Sequence, residues 1–167
     1  MGEQVSVFYA GWRLGYLAAP LEIAKACDKI QSQFTSGASS ISQKAAQVAI
    51  SQGKNHPSVQ LMKDEFLKRR DCFYNALKKI PGINLPLPQG AFYLFPDMSF
   101  YLGKKFKTME IKTSKDLAMY LLENAHVGLT AGIAFGAPQC LRFSYALNES
   151  KLLEAAKRLT IALEKLS

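Results

Sequence analysis

The chain has 167 residues, 49% hydrophobic and 20% charged, with 21 Lys+Arg against 13 Asp+Glu for a formal charge of +8. This length and apolar content suit one domain, or one small domain with an appendage, and exclude a disordered chain. No run of about 18 apolar residues is present, so nothing predicts a membrane span. The positive charge is spread along the chain, with short clusters at Lys68-Arg69-Arg70 and Lys104-Lys105-Phe106-Lys107. No zinc-finger spacing or aromatic-basic RNA motif accompanies it, so solvated helix faces and one basic loop account for it, and no nucleic-acid or membrane partner is expected. Three cysteines, Cys27, Cys72 and Cys140, form no CxxC pair, and the N-terminus carries no basic-then-apolar leader. Both features lead to an expectation of reduced thiols and a cytoplasmic location.

In chain order, residues 1–10 read as an entry into a strand over Val5–Ala10, as if the chain began in mid-domain. Gly11 to Pro20 is apolar, glycine-punctuated and strand-like. Its Arg13 has no carboxylate within eight residues on either side. Its charge must be solvated on an edge strand or paired with an anionic ligand or a distant acid. Pro20 opens a helix reaching about Gln31. The small polar stretch Thr35–Ser40 leads into a helix from Ile41 to Gln52, capped by Ser39 or Ser40 and stopped by Gly53. After Asn55-His56-Pro57, apolar residues at helical spacing predict a helix from Val59 to Ile80, ended by Pro81-Gly82. A helix of that length often bridges two lobes, which places a domain boundary in or just before it.

Ile83–Pro88 reads as a connection or edge strand, Ala91–Phe95 as a strand, and Met98–Thr113 as a loop with four lysines. Ser114 is expected to cap a helix from Lys115 to Asn124. Val127–Thr130 and Cys140–Tyr145 read as short strands separated by a glycine-containing loop. Glu149–Leu166 is a closing amphipathic helix. The sum is an α/β fold, a few-stranded sheet with helices on one side. Arg142, inside the alternating strand Leu-Arg-Phe-Ser-Tyr-Ala, is either solvent-facing or a bidentate fork for a carboxylate. His56 and His126 are about 70 residues apart with no metal-ligand spacing, so no metal site is expected.

Four stretches, in order, resemble one family. They are Gly11-Trp12-Arg13-Leu14-Gly15-Tyr16, then Thr35 through Ala46, then Gln89-Gly90-Ala91-Phe92-Tyr93-Leu94-Phe95-Pro96-Asp97, and finally Gly132-Ile133-Ala134-Phe135-Gly136 with Leu141 through Ala146. Together they are similar to the class I, fold-type-I aminotransferases that use pyridoxal 5'-phosphate, nearest to the bacterial aspartate type. The resemblance implies that residues 1–55 are a remnant of the large cofactor-binding domain and 56–167 the C-terminal small domain. It implies that Arg142 holds the substrate α-carboxylate and that Phe135 lies near the substrate. It implies that Arg13 binds the cofactor phosphate, and that Thr35 and Ser36 reach the phosphate end of a partner subunit's site. Many relatives have proline before the glycine of the last motif, where this chain has Ala131. Phe92 and Tyr93 lie on a strand resembling the one beside the substrate entrance, but core packing is the reading preferred for both.

One departure matters for chemistry. In the family, the lysine that forms the Schiff base stands eight positions before the arginine of the Gly-Trp-Arg motif. Counting back from Arg13 gives Val5, and no lysine precedes Lys25. The expectation is therefore an enzyme that moves an amino group between an amino acid, aspartate foremost, and a 2-oxo acid, as a homodimer. This chain alone would be inactive, hold no cofactor and contain no catalytic residue. The alternative is a non-catalytic interaction module derived from the small domain.

Overall fold

The computed structural model describes residues 12–53 and 55–167, so the strand expected over Val5–Ala10 lies outside the described residues. The chain divides into two compact units, residues 1–61 and 62–167.

In the first unit, Trp12 and Arg13 form a turn, Leu14 makes an isolated bridge, and residues 15–20 are irregular. The strand expected along this stretch is therefore absent from its described part. The reason is local, because Arg13 takes a left-handed φ of 53°, which breaks an extended run. Helix α1 spans Leu21–Phe34, beginning after Pro20 and running past the expected end at Gln31. Helix α2 spans Ser40–Gln52 and ends at Gly53, whose φ of 74° suits a residue without Cβ. Ser39 holds the N-cap position but makes no side-chain cap bond. Ser42, buried on α2, donates to the Trp12 carbonyl at 3.0 Å and ties the turn to the helix.

Helix α3, Pro57–Leu77, contains the division between the units. In the second unit it is followed by β1 (Tyr93–Leu94), β2 (Lys105–Phe106), β3 (Met109–Glu110), α4 (Ser114–Ala125), β4 (Thr130–Ala131), β5 (Leu141–Ser144) and α5 (Glu149–Leu163). Strands β1, β5 and β4 form an antiparallel sheet in that order. The core joins one face of this sheet, through Leu94, Leu141 and Phe143, to Phe73 and Leu77 of α3 and to the apolar faces of α4 and α5. This is the expected few-stranded sheet with helices on one side.

Three local expectations are corrected. The segment 98–113 is not a plain loop. It holds a short 3-10 turn at Ser99–Tyr101 and the hairpin β2–β3, pairing Lys105 with Glu110 and Phe106 with Met109. Its anchors, Met98, Tyr101 and Ile111, are buried but too widely spaced to show a period. Thr113, not Ser114, caps α4. Its hydroxyl accepts from the Asp116 N–H, and the Asp116 carboxylate accepts from the Thr113 N–H in a reciprocal box. The strand expected over 127–130 forms at Thr130–Ala131 instead, where the chain meets β5.

The Thr113 hydroxyl, with burial opposing it, holds the Asp116 carboxyl below its ordinary range. A carboxyl lowered in the folded state stabilises fully above its unfolded value and loses that contribution as pH falls through the folded one. Thr113→Ala is expected to cost about 1 kcal/mol in denaturant unfolding at neutral pH. Asp116→Asn should flatten the acid limb of the stability profile below about pH 4. An unchanged acid limb in that variant would show that the box contributes nothing.

Candidate functional site

Strand β5 alternates cleanly. Leu141 and Phe143 point into the core at 0% and 1% exposure, so Arg142 and Ser144 take the opposite face. The register then selects the neighbours of Arg142. Thr130 stands directly across from it on β4, and Tyr93 of β1, opposite Ser144, is its diagonal neighbour. The Arg142 Nη2 donates to Thr130 Oγ1 at 3.3 Å. The guanidinium carbon lies 4.5 Å from the Tyr93 ring centroid and 4.7 Å from that of Phe135. A half-buried guanidinium is thus held between two aromatic faces, each contact of the kind worth about 0.5–2 kcal/mol. Among the described residues no carboxylate forms an ion pair with Arg142. A planar fork held in one orientation without a protein counter-ion is built to accept an anion, and a carboxylate matches its geometry.

Phe135 reaches this face because of the loop before β5. Residues Gly132–Phe135 form a 3-10 turn closed by Gly136 at φ 74°. The Gly132 N–H donates to the Cys140 carbonyl at 2.8 Å, and the Ala137 N–H donates to the Gly132 carbonyl at 3.1 Å. A Cβ on Gly132 would lie 2.2 Å from the Ala137 oxygen and 2.5 Å from the Cys140 oxygen, so only glycine fits. Phe135 also meets Phe95 edge to face at 5.9 Å. Ala131 has φ −63°, the angle a proline ring imposes.

Of the residues singled out from the sequence, the structure brings Arg142 and Phe135 together. It adds Thr130, which the sequence reading missed. Tyr93 is moved from core packing to the wall of the Arg142 site, while Phe92 is half-buried and packs against Phe66. The signal for Thr130 and Tyr93 was pairing register, which one strand read alone does not contain.

Arg13, Thr35 and Ser36 belong to the first unit. Arg13 is exposed in its turn. Thr35 ends α1, and its hydroxyl donates back to the Gln31 carbonyl at 3.4 Å. Ser36, at φ 62°, lines a cavity of about 510 Å³ with Gly15, Asp28, Gln31 and Gln43. Arg13 and Thr35 are not in that wall. The wall's charged side chain is the carboxylate of Asp28, and it offers no cation. A doubly charged phosphate needs a cation and several donors. The wall of that cavity therefore does not by itself supply what the phosphate of pyridoxal phosphate needs. Among the described residues, no group of three or more His, Cys, Asp or Glu could hold a metal. His56 and His126 both sit at helix ends. Burial, with Asp97 nearby, pushes the Cys140 thiol up, so that thiol stays protonated and unreactive at neutral pH.

Two substitutions separate these effects. Gly132→Ala is expected to lower the unfolding midpoint clearly and to shift the NMR signals of Phe135 and Arg142. Ala131→Pro, placed at a compatible φ, should leave stability unchanged or raise it by about 0.4–1 kcal/mol. A loss in the second variant would mean that the Ala131 N–H has a partner the fold needs.

Comparison with known proteins gives a consistent result. The family model for aminotransferase class I and II matches residues 8–159. A Petunia hybrida protein named bifunctional aspartate aminotransferase and glutamate/aspartate-prephenate aminotransferase is 47% identical over 155 residues, covering 92% of this chain and 32% of its own length. The crystal structure of the aspartate aminotransferase from Rhizobium meliloti superposes with a TM-score of 0.79 at 41% identity, over 95% of this chain and 40% of that one. An aromatic aminotransferase from Pyrococcus horikoshii OT3 superposes at 0.74 with 32% identity, over 93% and 40%. The chain thus spans about a third to two fifths of the length of these relatives. Among the described residues, no helix is long and apolar enough to cross a membrane.

Proposed function

Because this chain belongs to the class I and II aminotransferase family, we propose that it forms the C-terminal part, the last of the large domain and the small domain, of an enzyme moving an amino group from an amino acid to a 2-oxo acid. Aspartate is the substrate put first, following the names of two of the relatives. The aromatic enzyme among the structural matches marks the competing class.

The observation that carries this reading is the Arg142 fork, held between Tyr93 and Phe135 with its hydroxyl partner Thr130 and, among the described residues, no carboxylate partner. In this role Arg142 grips the substrate α-carboxylate through two parallel N–H···O bonds. Thr130 and the rings fix the guanidinium plane, so the substrate arrives oriented. Phe135, 49% exposed, screens one side of the fork from water. Pyridoxal phosphate belongs to the whole enzyme, which we propose is a cytoplasmic homodimer. Arg13, Thr35 and Ser36 are the residues of this chain assigned to its phosphate end. Val5 stands where the family's lysine is counted, so no chemical step is assigned to this chain alone. That same Val5 favours a second reading, an interaction module that keeps the fold without cofactor chemistry.

Titration with maleate, followed at the backbone amide NMR signal of Thr130, the hydrogen-bond partner of Arg142, tests the assignment. The signal is expected to move saturably, with affinity lost in Arg142→Ala and reduced on the order of tenfold in Arg142→Lys. A signal that maleate leaves in place would sink the carboxylate assignment and bring the second reading forward. Mixing the chain with pyridoxal phosphate, aspartate and a 2-oxo dicarboxylate should give no amino transfer. Turnover would overturn the inactivity expected from Val5.

A further inference from the structure

The second unit contains a cavity of about 370 Å³ that shares no residue with the Arg142 site. Its size falls in the lower part of the range of small-molecule sites, about 300–1,000 Å³. The cavity exists because β4 and β5 pair only as far as Thr130 with Arg142. Before Thr130, residues 126–129 carry no strand and line one wall. A Cβ placed on Gly128 would meet nothing within 4 Å, so the chain faces open space there. Helix α5 supplies the opposite wall.

The chemistry of the lining is two-sided. Val127, Leu129, Leu147 and Ala155 provide apolar surface. Beneath them Phe143 and Leu152, each 1% exposed, belong to the core and support the floor. Lys151, Glu154 and Arg158 stand along α5. The Arg158 guanidinium pairs with the Glu154 carboxylate, which neutralises both. Lys151 is exposed and, among the described residues, its ammonium has no ion-pair partner. The rim thus carries one net positive charge from these three groups. An apolar floor with one uncompensated ammonium at its edge complements a small amphipathic anion.

We propose that this cleft binds a small monocarboxylate with a single aromatic or branched aliphatic body, its body against Leu129 and Leu147 and its carboxylate at Lys151. The ammonium acts as a compact point charge and needs no fork geometry, so the carboxylate is recognised by charge and the body by fit. The proposal is independent of the role given to Arg142.

The test uses the whole chain, labelled with ¹⁵N, and 3-phenylpropionate as probe. Saturable shifts are expected at the amides of Gly128, Leu129, Ser144 and Ala155. Lys151→Glu, a change at an exposed position, should weaken them on the order of fivefold. The uncharged 3-phenylpropanol should bind more weakly than the acid, and Ala155→Trp, which fills the cleft, should abolish binding. Arg142→Ala must leave these shifts in place, which separates this cleft from the fork. Shifts that are absent, non-saturable, insensitive to Lys151→Glu or lost in Arg142→Ala would each overturn the proposal.

Discussion

The alternation of β5 is the constraint on which the rest depends. Leu141 and Phe143 are almost fully withdrawn from water, and each such side chain contributes about 1.5–3 kcal/mol when buried. A slip of one residue would exchange them for Arg142 and Ser144 and carry a guanidinium into the core. The orientation of Arg142 is therefore fixed by its neighbours and not by any preference of its own. The helices on the inner face reinforce this register. The Tyr120 hydroxyl of α4 donates to the Ala162 carbonyl of α5 at 2.7 Å, locking the two helices that press on the strand.

A second, backbone-level constraint sets where Phe135 stands. Asp97 bridges Asn84 on one side and Cys140 on the other, and the Cys140 carbonyl accepts from Gly132. The chain before β1 and the chain before β5 are thereby stitched into one frame. The Asp97 carboxylate, held below its ordinary range by the Ser99 hydroxyl and N–H, anchors the turn that follows it. Gly132 is the member of this frame that tolerates no side chain. An aromatic ring can thus be delivered to the guanidinium from a loop and still be rigidly placed.

How much of this was legible depended on the range of the interaction. The helices were readable because their signals are local: apolar spacing along α3 and α5, Pro20 ahead of α1, and Gly53 after α2. The cap of α4 was misplaced by one residue because Thr113 and Ser114 are both good caps, and only the Asp116 geometry distinguishes them. The hairpin at 105–110 escaped because its strands are two residues long and its anchors lie in other elements. Arg142 and Phe135 were legible as motif residues. Thr130 and Tyr93 were not, because what brings them to Arg142 is pairing across strands, from 12 and 49 positions away in sequence. The first unit was the least legible, since Arg13 looks like a strand residue until its left-handed φ is seen.

The aromatic walls also favour arginine over lysine at position 142. A lysine ammonium is compact and strongly hydrated, and slotting it between two rings would strip water that the π faces replace only in part. A guanidinium is flat and weakly hydrated, so it can stack on both rings while its edge keeps in-plane donors free for a ligand. Thr130 completes the logic, because one hydroxyl on one Nη fixes rotation in the plane without consuming the fork. A carboxylate at position 130 would form an ion pair and occupy the donors that the proposed carboxylate-binding role uses. The site therefore depends as much on the neutral character of its three partners as on the charge they surround.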